Sequence, residues 1–374
     1  MSHKKIQVLL VDDSAVIRGL ITRLLEADPE IEIVASRANG KAAISAAEKH
    51  KPDVALLDIE MPIMDGITAL PEILKVSPDT KVLICSTVSG KNADISLKAL
   101  SLGASECILK PTASRDISGR EEFRRNLLNL VRTLGGRPAR DFDKEELPKS
   151  SKPGVHEQDN IIVRRPDPAA GQISLRPPVR PPFGGYKSLA IGSSTGGPQA
   201  LFKVLKDVRD LKVPIFITQH MPPTFTKILA DHISHNTDLQ AHEAQEGMKV
   251  ENGHVYVAAG GRHMLAKKND DDILLVLDDG SPENYCKPSV DPMLRSLLKI
   301  YRTTMLTVIL TGMGHDGYAA CHDIAQEGGP IIAQDKQSSV VWGMPGAVAT
   351  NGLCNEVLPL DEIGAKINSY LAGK

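Results

Sequence analysis

Short apolar runs alternate with amphipathic segments along the first third of the chain. Runs that are apolar at almost every position and rich in Val, Ile and Leu indicate strands buried on both faces of a sheet. These predicted strands span residues 6–11, 31–35, 54–57, 82–85 and 107–109. The amphipathic segments predict covering helices at residues 15–27, 41–49, 67–76 and 93–102. Such alternation is typical of a doubly wound α/β domain with a parallel sheet.

The same alternation returns in the last half of the chain. Apolar runs predict strands at residues 188–191, 213–218, 306–310 and 331–333, and a helix runs from 198 to about 208. A hairpin-like insert is predicted from the runs at 254–258, 264–266 and 273–277. We therefore expect a second doubly wound α/β domain that carries an antiparallel hairpin insert.

The segment between these two blocks has a different composition. It combines many charges with few periodic apolar positions, which is typical of a linker that is extended in its proline-rich parts. Its prolines are Pro138, Pro148, Pro153, Pro166, Pro168, Pro177, Pro178, Pro181 and Pro182. The sequence thus predicts domains at 1–136 and 186–374, joined by a linker at 137–185.

Composition narrows the class of protein. Across 374 residues the formal net charge is −2 and aromatic residues make up 3%, so no basic, base-stacking surface for nucleic acid is expected. No apolar run is long enough to span a bilayer, and the N-terminus enters a predicted strand without a signal-peptide pattern. Five cysteines form no Cys-x-x-Cys pair. We expect a cytoplasmic protein without direct membrane insertion.

Polar side chains follow the predicted strands of the first block. They are Asp12, Asp13, Asp58, Ser86 and Lys110. The carboxyl ends of parallel strands share one edge of the sheet, where ligands bind. Three converging carboxylates repel one another unless a cation lies between them, and oxygen ligands beside a lysine suit Mg²⁺ with a phosphoryl group. Any one of these aspartates alone is explained by loop chemistry or an N-cap, but the set favours a cation site.

The second block places a hydroxyl, an imidazole and a carboxylate at the same kind of edge. Ser194 lies in a G-x-S-x-G stretch after the strand at 188–191, His220 directly follows the run at 213–219, and Asp316 follows the strand at 306–310. A serine needs a histidine to take its proton and a carboxylate to orient that histidine. The three residues predict a nucleophilic triad, although each could instead be a helix cap or a core residue.

A dinucleotide site is the competing interpretation of this edge. Gly312, Gly314 and Gly317 form a literal G-x-G-x-x-G between a predicted strand and a helix, and Asp335 follows 18 positions later. Asp316 argues against it, because a carboxylate would stand where the helix N-terminus should receive pyrophosphate.

The first block resembles response-regulator receiver domains over roughly residues 5–125. The motifs that carry the resemblance are Val11-Asp-Asp-Ser14, Leu57-Asp-Ile-Glu-Met-Pro-Ile-Met-Asp-Gly66, Ser86 and Lys110-Pro111. The resemblance implies a flavodoxin-like sheet in which Ser86 and Lys110 hydrogen-bond the oxygens of a bound phosphoryl group.

The receiver resemblance also implies how phosphorylation would occur. Asp58 would accept the phosphoryl group, and a chemotaxis histidine kinase would donate it. Mg²⁺ would be bound by Asp13, Asp58 and the backbone carbonyl of Glu60. Asp12 would hold these ligands in place without contacting the ion itself.

The second block resembles the catalytic domain of the chemotaxis receptor-glutamate methylesterases, the CheB family, over residues 187–370. The matching motifs are Ile191-Gly-Ser-Ser-Thr-Gly-Gly-Pro198, Gln219-His-Met-Pro222, Tyr256-Val-Ala-Ala-Gly260, Leu310-Thr-Gly-Met-Gly-His-Asp-Gly317 and Gly343-Met-Pro-Gly-Ala-Val348. The resemblance implies a Rossmann-like serine hydrolase with Ser194 as nucleophile, His220 as base and Asp316 as orienting acid. Thr195 and the backbone of Met313 would flank the oxyanion.

Together the two resemblances imply a phosphorylation-regulated hydrolase of glutamate methyl esters on chemoreceptors, which also deamidates receptor glutamines. The hydrolase is expected to need no cofactor of its own, and we expect a monomer. Two alternatives stay open on the sequence: a regulated receptor-binding module without catalysis, and the nicotinamide-binding enzyme.

Overall fold

The computed structural model describes residues 4–86, 90–110, 117–137, 173–208 and 212–372. Two compact units are built around parallel sheets, as the apolar pattern predicts. In the part of the chain that the structure describes, no helix has the length and apolarity needed to cross a membrane.

The N-terminal sheet has the strand order β2-β1-β3-β4-β5. Its strands are β1 (Ile6–Val11), β2 (Ile31–Arg37), β3 (Val54–Asp58), β4 (Lys81–Ser86) and β5 (Glu106–Leu109). The intervening helices are α1 (Ala15–Glu26), α2 (Gly40–His50), α3 (Gly66–Val76), α4 (Gly90–Ser101) and α5 (Ile117–Leu134). Strand order reverses between β1 and β3, so the ends of these two strands flank the crevice where ligands bind in such sheets.

The second sheet has the strand order β14-β13-β12-β6-β7-β9-β8. Its strands are β6 (Ser188–Ser193), β7 (Ile215–Gln219), β8 (Gln240–Glu243), β9 (His254–Val257), β12 (Met305–Ile309), β13 (Ile331–Gln334) and β14 (Glu356–Leu358). The helices are α6 (Gly197–Asp207), α7 (Phe225–Asn236), α8 (Val290–Tyr301), α9 (Tyr318–Gln326), α10 (Met344–Thr350) and α11 (Leu360–Leu371). The reversal lies here between β6 and β12.

The predicted hairpin insert is only partly correct. Strands β10 (His263–Asn269) and β11 (Asp272–Asp278) pair antiparallel, as expected. The run at 254–258 is not part of that hairpin, because β9 pairs in parallel with both β7 and β8. Its residues Val255, Tyr256 and Val257 are buried, which is the environment of an inner strand of a parallel sheet.

Of the predicted linker, residues 138–172 lie outside the described part of the chain, as does Pro111 of the first block. Residues 173–185 contain no helix or strand but are hydrogen-bonded to the second unit. The Arg176 backbone N–H donates to the Cys354 carbonyl at 2.8 Å, and the Asn355 side chain donates to the Pro177 carbonyl at 2.8 Å.

Candidate active site

The triad residues emerge from neighbouring strands at the reversal point of the second sheet. Ser193 is in register with Gln219 across β6 and β7, so the residues that follow them, Ser194 and His220, leave the sheet side by side. On the other side of β6, the loop after β12 is tied to the same position, because the Ser194 backbone N–H donates to the Thr311 carbonyl at 3.0 Å. This topology brings all three predicted triad residues to one crevice.

The two adjacent serines have different surroundings. The Ser193 hydroxyl is fully buried and donates to the Gln219 side-chain oxygen at 2.7 Å. Ser194 is partly exposed, and its carbonyl accepts from the Gln219 amide at 2.9 Å. Neither serine caps α6, since the cap is Gly196 in the left-handed conformation with φ of 76°. The capping alternative is therefore wrong, and Ser194 is the more accessible of the two serines.

Gly312 lies directly against Ser194. A Cβ atom at this position would meet the sulfur of Met344, and it would stand 2.8 Å from the Ser194 Cβ and 3.0 Å from its backbone nitrogen. Real Cβ atoms essentially never approach below 3.0 Å. This glycine of the apparent dinucleotide motif thus allows close packing against the turn that carries Ser194.

We expect Gly312→Ala to lower the rate of substrate hydrolysis by about 100-fold, because a displacement near 1 Å at a catalytic group has roughly this effect. The matched control is Gly328→Ala, where φ is +85° and no atom lies within 4 Å of the new Cβ. That control should lower the melting temperature without lowering kcat. Equal hydrolysis rates for Gly312→Ala and wild type would contradict the packing role.

His220 and Asp316 form a direct contact. The Nε2 atom of His220 lies 2.7 Å from Oδ2 of Asp316, and the imidazole is 13% exposed while the carboxylate is 2% exposed. Because Nε2 donates to the carboxylate, Nδ1 is the ring nitrogen left to accept a proton from a serine. Among the described residues no hydrogen bond joins Ser194 to this ring, so the role of Nδ1 as the base remains a prediction.

Nδ1 has a neighbour that no sequence motif indicated. The Sγ atom of Cys286 lies 3.4 Å from it, in a partly buried position. Burial alone would lower the pKa of His220, but the Cys286 sulfur and the Asp316 carboxylate raise it to about 10. An imidazole of this basicity keeps its proton in nearly all molecules at neutral pH, so it can act as a base only in the small fraction that is unprotonated.

Asp316 is held by donors from several elements. Its oxygens accept from the Ser289 hydroxyl at 2.7 Å, the Val290 backbone at 2.6 Å, the Asn284 amide at 2.8 Å and the Gly317 backbone at 2.9 Å. Burial alone would raise the pKa of Asp316, but the hydrogen bond and charge of His220 and the hydrogen bonds from Val290 and Ser289 keep it well below the ordinary carboxyl value. The carboxylate stays charged and fixed in orientation.

A second buried carboxyl group shares one of these donors. Asn284 also donates to Asp291 at 2.8 Å, and the Ala320 backbone N–H donates to Asp291 at 2.7 Å. Burial and the nearby negative charge of Asp316 raise the pKa of Asp291 to about 7. The negative charge of the pair therefore resides on Asp316, next to the imidazole.

Thr195 directly follows Ser194, and Met313 lies three residues before Asp316. Thr195 is buried, and its carbonyl accepts from the Thr311 hydroxyl at 2.9 Å. Met313 is partly exposed in the loop between β12 and α9. Their contacts with an oxyanion remain a prediction.

The dinucleotide interpretation meets a direct obstacle in this geometry. The backbone N–H of Gly317, at the start of α9, already donates to the Asp316 carboxylate. Asp335, the second acidic residue of the apparent motif, accepts from the Ser338 backbone and hydroxyl at 2.9 and 2.6 Å. Both acidic groups are engaged within the protein, so neither serves a nucleotide here.

The N-terminal sheet gathers the acidic residues as predicted. Carboxylate oxygens of Asp12, Asp13 and Asp58 all lie within 4.8 Å of one another. The Lys110 ammonium lies 2.7 Å from both Asp12 and Asp58. Burial raises the pKa of Asp58 although Lys110 opposes this, and the hydrogen bonds to both aspartates raise the pKa of Lys110 against its own burial. A divalent cation fits this all-oxygen set.

The other predicted receiver residues lie near the same strand ends. Ser86 is buried at the end of β4, and its carbonyl accepts from the Lys110 backbone N–H at 2.7 Å. Asp13 is exposed, and Glu60 is exposed just after β3. The roles of these residues in binding metal and phosphoryl oxygens remain predictions.

Comparison with known proteins identifies the family of each of the two domains. A family model described as CheB methylesterase matches residues 189–367, and one described as response regulator receiver domain matches residues 8–120. A protein-glutamate methylesterase/protein-glutamine glutaminase of group 2 operon from Rhodospirillum centenum is 48% identical over 372 residues, covering 98% of this chain and 94% of that protein. The chain belongs to the CheB methylesterase family.

Other relatives within the CheB family cover the chain to a similar extent. A protein-glutamate methylesterase/protein-glutamine glutaminase of Azospirillum brasilense is 46% identical over 373 residues, covering 98% of this chain and 92% of that protein. Among solved structures, the CheB methylesterase catalytic domain of Thermotoga maritima is 38% identical, with a TM-score of 0.48 over 49% of this chain and 98% of that chain. The predicted combination of a receiver and a CheB catalytic domain is confirmed.

Three residues of this CheB site were not predicted from the sequence. Cys286, Asn284 and Ser289 lie in the segment between β11 and α8, with no predicted strand end to mark them. Ser289 carried a weak signal as a serine before an amphipathic segment, which is typical of an N-cap. Its hydroxyl instead donates to Asp316 and makes no capping hydrogen bond.

Proposed function

We propose that this chain hydrolyses glutamate methyl esters of chemoreceptors and deamidates receptor glutamines, under the control of its receiver domain. The observation that carries the proposal is the fixed His220–Asp316 pair at the strand end next to Ser194. The relatives named protein-glutamate methylesterase/protein-glutamine glutaminase support the choice of substrate.

The reaction follows from the assigned atoms. Ser194 Oγ attacks the side-chain carbonyl carbon of the ester while its proton passes to Nδ1 of His220. The imidazolium then gives that proton to the ester oxygen, the C–O bond breaks, and methanol leaves. Water attacks the acyl-enzyme with the same base and releases glutamate. With glutamine the C–N bond breaks instead and ammonia leaves, so one site performs both reactions.

The negative charge of the tetrahedral intermediate needs hydrogen-bond donors. Ser194 lies three residues before the first residue of α6, and the free N–H groups of a helix N-terminus favour an anion. We propose Thr195 and the backbone of Met313 as the oxyanion contacts, because Thr195 follows Ser194 and Met313 follows Gly312, which lies against Ser194.

Measurement of methanol released from methyl-labelled receptor membranes tests the proposed activity directly. A regulated binding module would bind those membranes without releasing methanol. Covalent labelling of wild type by a serine-directed acylating probe, lost in Ser194→Ala, separates the hydrolase from the binding module without requiring the right receptor.

Control by the receiver is proposed to act through Asp58. Mg²⁺ would be held by Asp13, Asp58 and the backbone carbonyl of Glu60, supported by Asp12, and would offset the charge of the phosphoryl group. Lys110 already contacts the Asp58 carboxylate, so it is placed to hydrogen-bond the phosphoryl oxygens. We propose Ser86 as the second group that contacts them.

The phosphodonor is proposed to be a chemotaxis histidine kinase. We also propose that the protein works as a monomer in the cytoplasm. None of the five cysteines forms a disulfide in the structure, which supports a reducing compartment.

Asp58→Ala should abolish activation by a small phosphodonor such as acetyl phosphate. Wild type with Mg²⁺ and the phosphodonor should gain about tenfold in methanol release, which corresponds to about 1.4 kcal/mol of bias toward the active state. The control is Asp79→Ala, an exposed aspartate just before β4 and away from the carboxyl ends of the strands, and it should respond like wild type. Activation of Asp58→Ala to the wild-type level would contradict the proposed site of phosphorylation.

A further inference from the structure

The basic nitrogen of the hydrolase shares its surroundings with a thiol at chelating distance. Nδ1 of His220 and Sγ of Cys286 are 3.4 Å apart. A tetrahedral Zn²⁺, with bonds of about 2.3 Å to sulfur and about 2.0 Å to nitrogen, separates two such donors by about 3.5 Å. The two atoms therefore already have the spacing of a zinc chelate.

Asp316 completes the arrangement without being a ligand. Zinc-bound histidines usually donate their other ring N–H to a carboxylate, which fixes the ring and strengthens the ligand. Here Nε2 donates to Asp316 at 2.7 Å, and that carboxylate is itself held by the Ser289 hydroxyl and the Val290 backbone. The imidazole is oriented so that the Nδ1 lone pair faces the thiol.

The thiol is held on a constrained turn. The backbones of Glu283 and Cys286 exchange both hydrogen bonds, at 3.1 and 2.9 Å, around Asn284 and Tyr285, which both have positive φ. The guanidinium of Arg295, on α8, donates two hydrogen bonds to the Glu283 carboxylate, at 2.7 and 2.5 Å. A donor pair supported in this way loses little conformational freedom when it binds a metal ion.

We propose that Nδ1 of His220 and Sγ of Cys286 form a binding site for a thiophilic divalent cation, Zn²⁺ above all, whose occupancy inactivates the hydrolase. The cation binds through the lone pair that must accept the proton of Ser194, so metal binding and catalysis exclude each other. Sulfur and imidazole donors favour Zn²⁺ over Mg²⁺, which separates this site from the acidic cluster of the receiver. Inactivation rests on the proposed function, whereas metal binding does not.

The test uses the reduced full-length protein in excess Mg²⁺, which saturates the acidic oxygen cluster. Binding is followed with Co²⁺ as probe, because a thiolate ligand gives a sulfur-to-cobalt charge-transfer band that oxygen ligands do not give. Activity is followed as the rate at which a serine-directed probe labels Ser194 during a titration with buffered Zn²⁺. We expect the cobalt band in wild type, and loss of labelling as Zn²⁺ fills the site.

Cys286→Ser should lose the cobalt band and require more than about tenfold higher Zn²⁺ for half-inhibition, each variant being compared with its own metal-free rate. Cys107→Ser is the matched control, because Cys107 is the other partly buried thiol among the described residues, and it should behave like wild type. His220→Ala should weaken Co²⁺ binding by at least a similar factor.

The proposal is overturned if wild type shows no thiolate–cobalt band, if the band survives in Cys286→Ser, or if labelling persists at saturating Zn²⁺. Absence of probe labelling in metal-free wild type, with the cobalt band present, would overturn the proposed hydrolase and leave the metal site supported. Far-UV circular dichroism of each variant checks that it is folded.

Discussion

Ser194→Ala is expected to lower methanol release from methylated receptors by about 10⁶-fold, because loss of a triad serine removes the acyl-enzyme route entirely. The turn that carries Ser194 is fixed by its backbone contacts with Thr311 and Gln219. The side chain itself makes none of them, so the variant should keep the melting temperature of wild type and still bind receptor membranes.

Ser193→Ala is the matched control for this prediction. Its buried hydroxyl donates to Gln219, so its loss leaves a buried acceptor without its donor and should lower stability by about 1–3 kcal/mol. Methanol release at a permissive temperature should stay within a few-fold of wild type. An inactive Ser193→Ala beside an active Ser194→Ala would show that the nucleophile has been assigned to the wrong serine.

The strand-end rule explains why the positions of Ser194, His220 and Asp316 could be predicted from the sequence. In a parallel sheet, every strand that precedes a helix ends at the same edge, so residues that follow such strands share that edge. They are neighbours because β6 lies between β7 and β12 in the sheet. The same holds for Asp12 and Asp58, which follow β1 and β3 in the first sheet. The apolar runs marked these strands because both of their faces are buried.

Non-local pairing explains what the sequence could not supply. Nothing in the run at 254–258 tells whether it joins the next strand as a hairpin or the earlier β7 in parallel, because that choice depends on the register of distant residues. Asn284 and Cys286 reach the triad through a turn between β11 and α8. Their roles therefore depend on tertiary contacts that no local periodicity records.

Asp316→Asn should lower methanol release by about 10⁴-fold, the size of effect expected when the imidazole takes the wrong tautomer. The oxygens of Asp316 accept from His220 Nε2, the Val290 backbone and the Ser289 hydroxyl. An asparagine replaces one of the two carboxylate oxygens by an NH2 group, which cannot accept a hydrogen bond. At least one of these donors, His220 Nε2 or the Val290 backbone N–H among them, therefore loses its acceptor. The proton then favours Nδ1, where the lone pair is needed.

Double variants distinguish a triad from independent contributions. Because groups that act as one unit are strongly non-additive, Ser194→Ala combined with Asp316→Asn or His220→Ala should be no slower than Ser194→Ala alone. Asp335→Asn is the matched control, since it makes the same change at the end of β13, where the carboxylate accepts only from Ser338 among the described residues. Its methanol release should remain near the wild-type rate, measured with the same receptor membranes. Losses that multiply in the double variants would show that Asp316 and His220 act apart from Ser194.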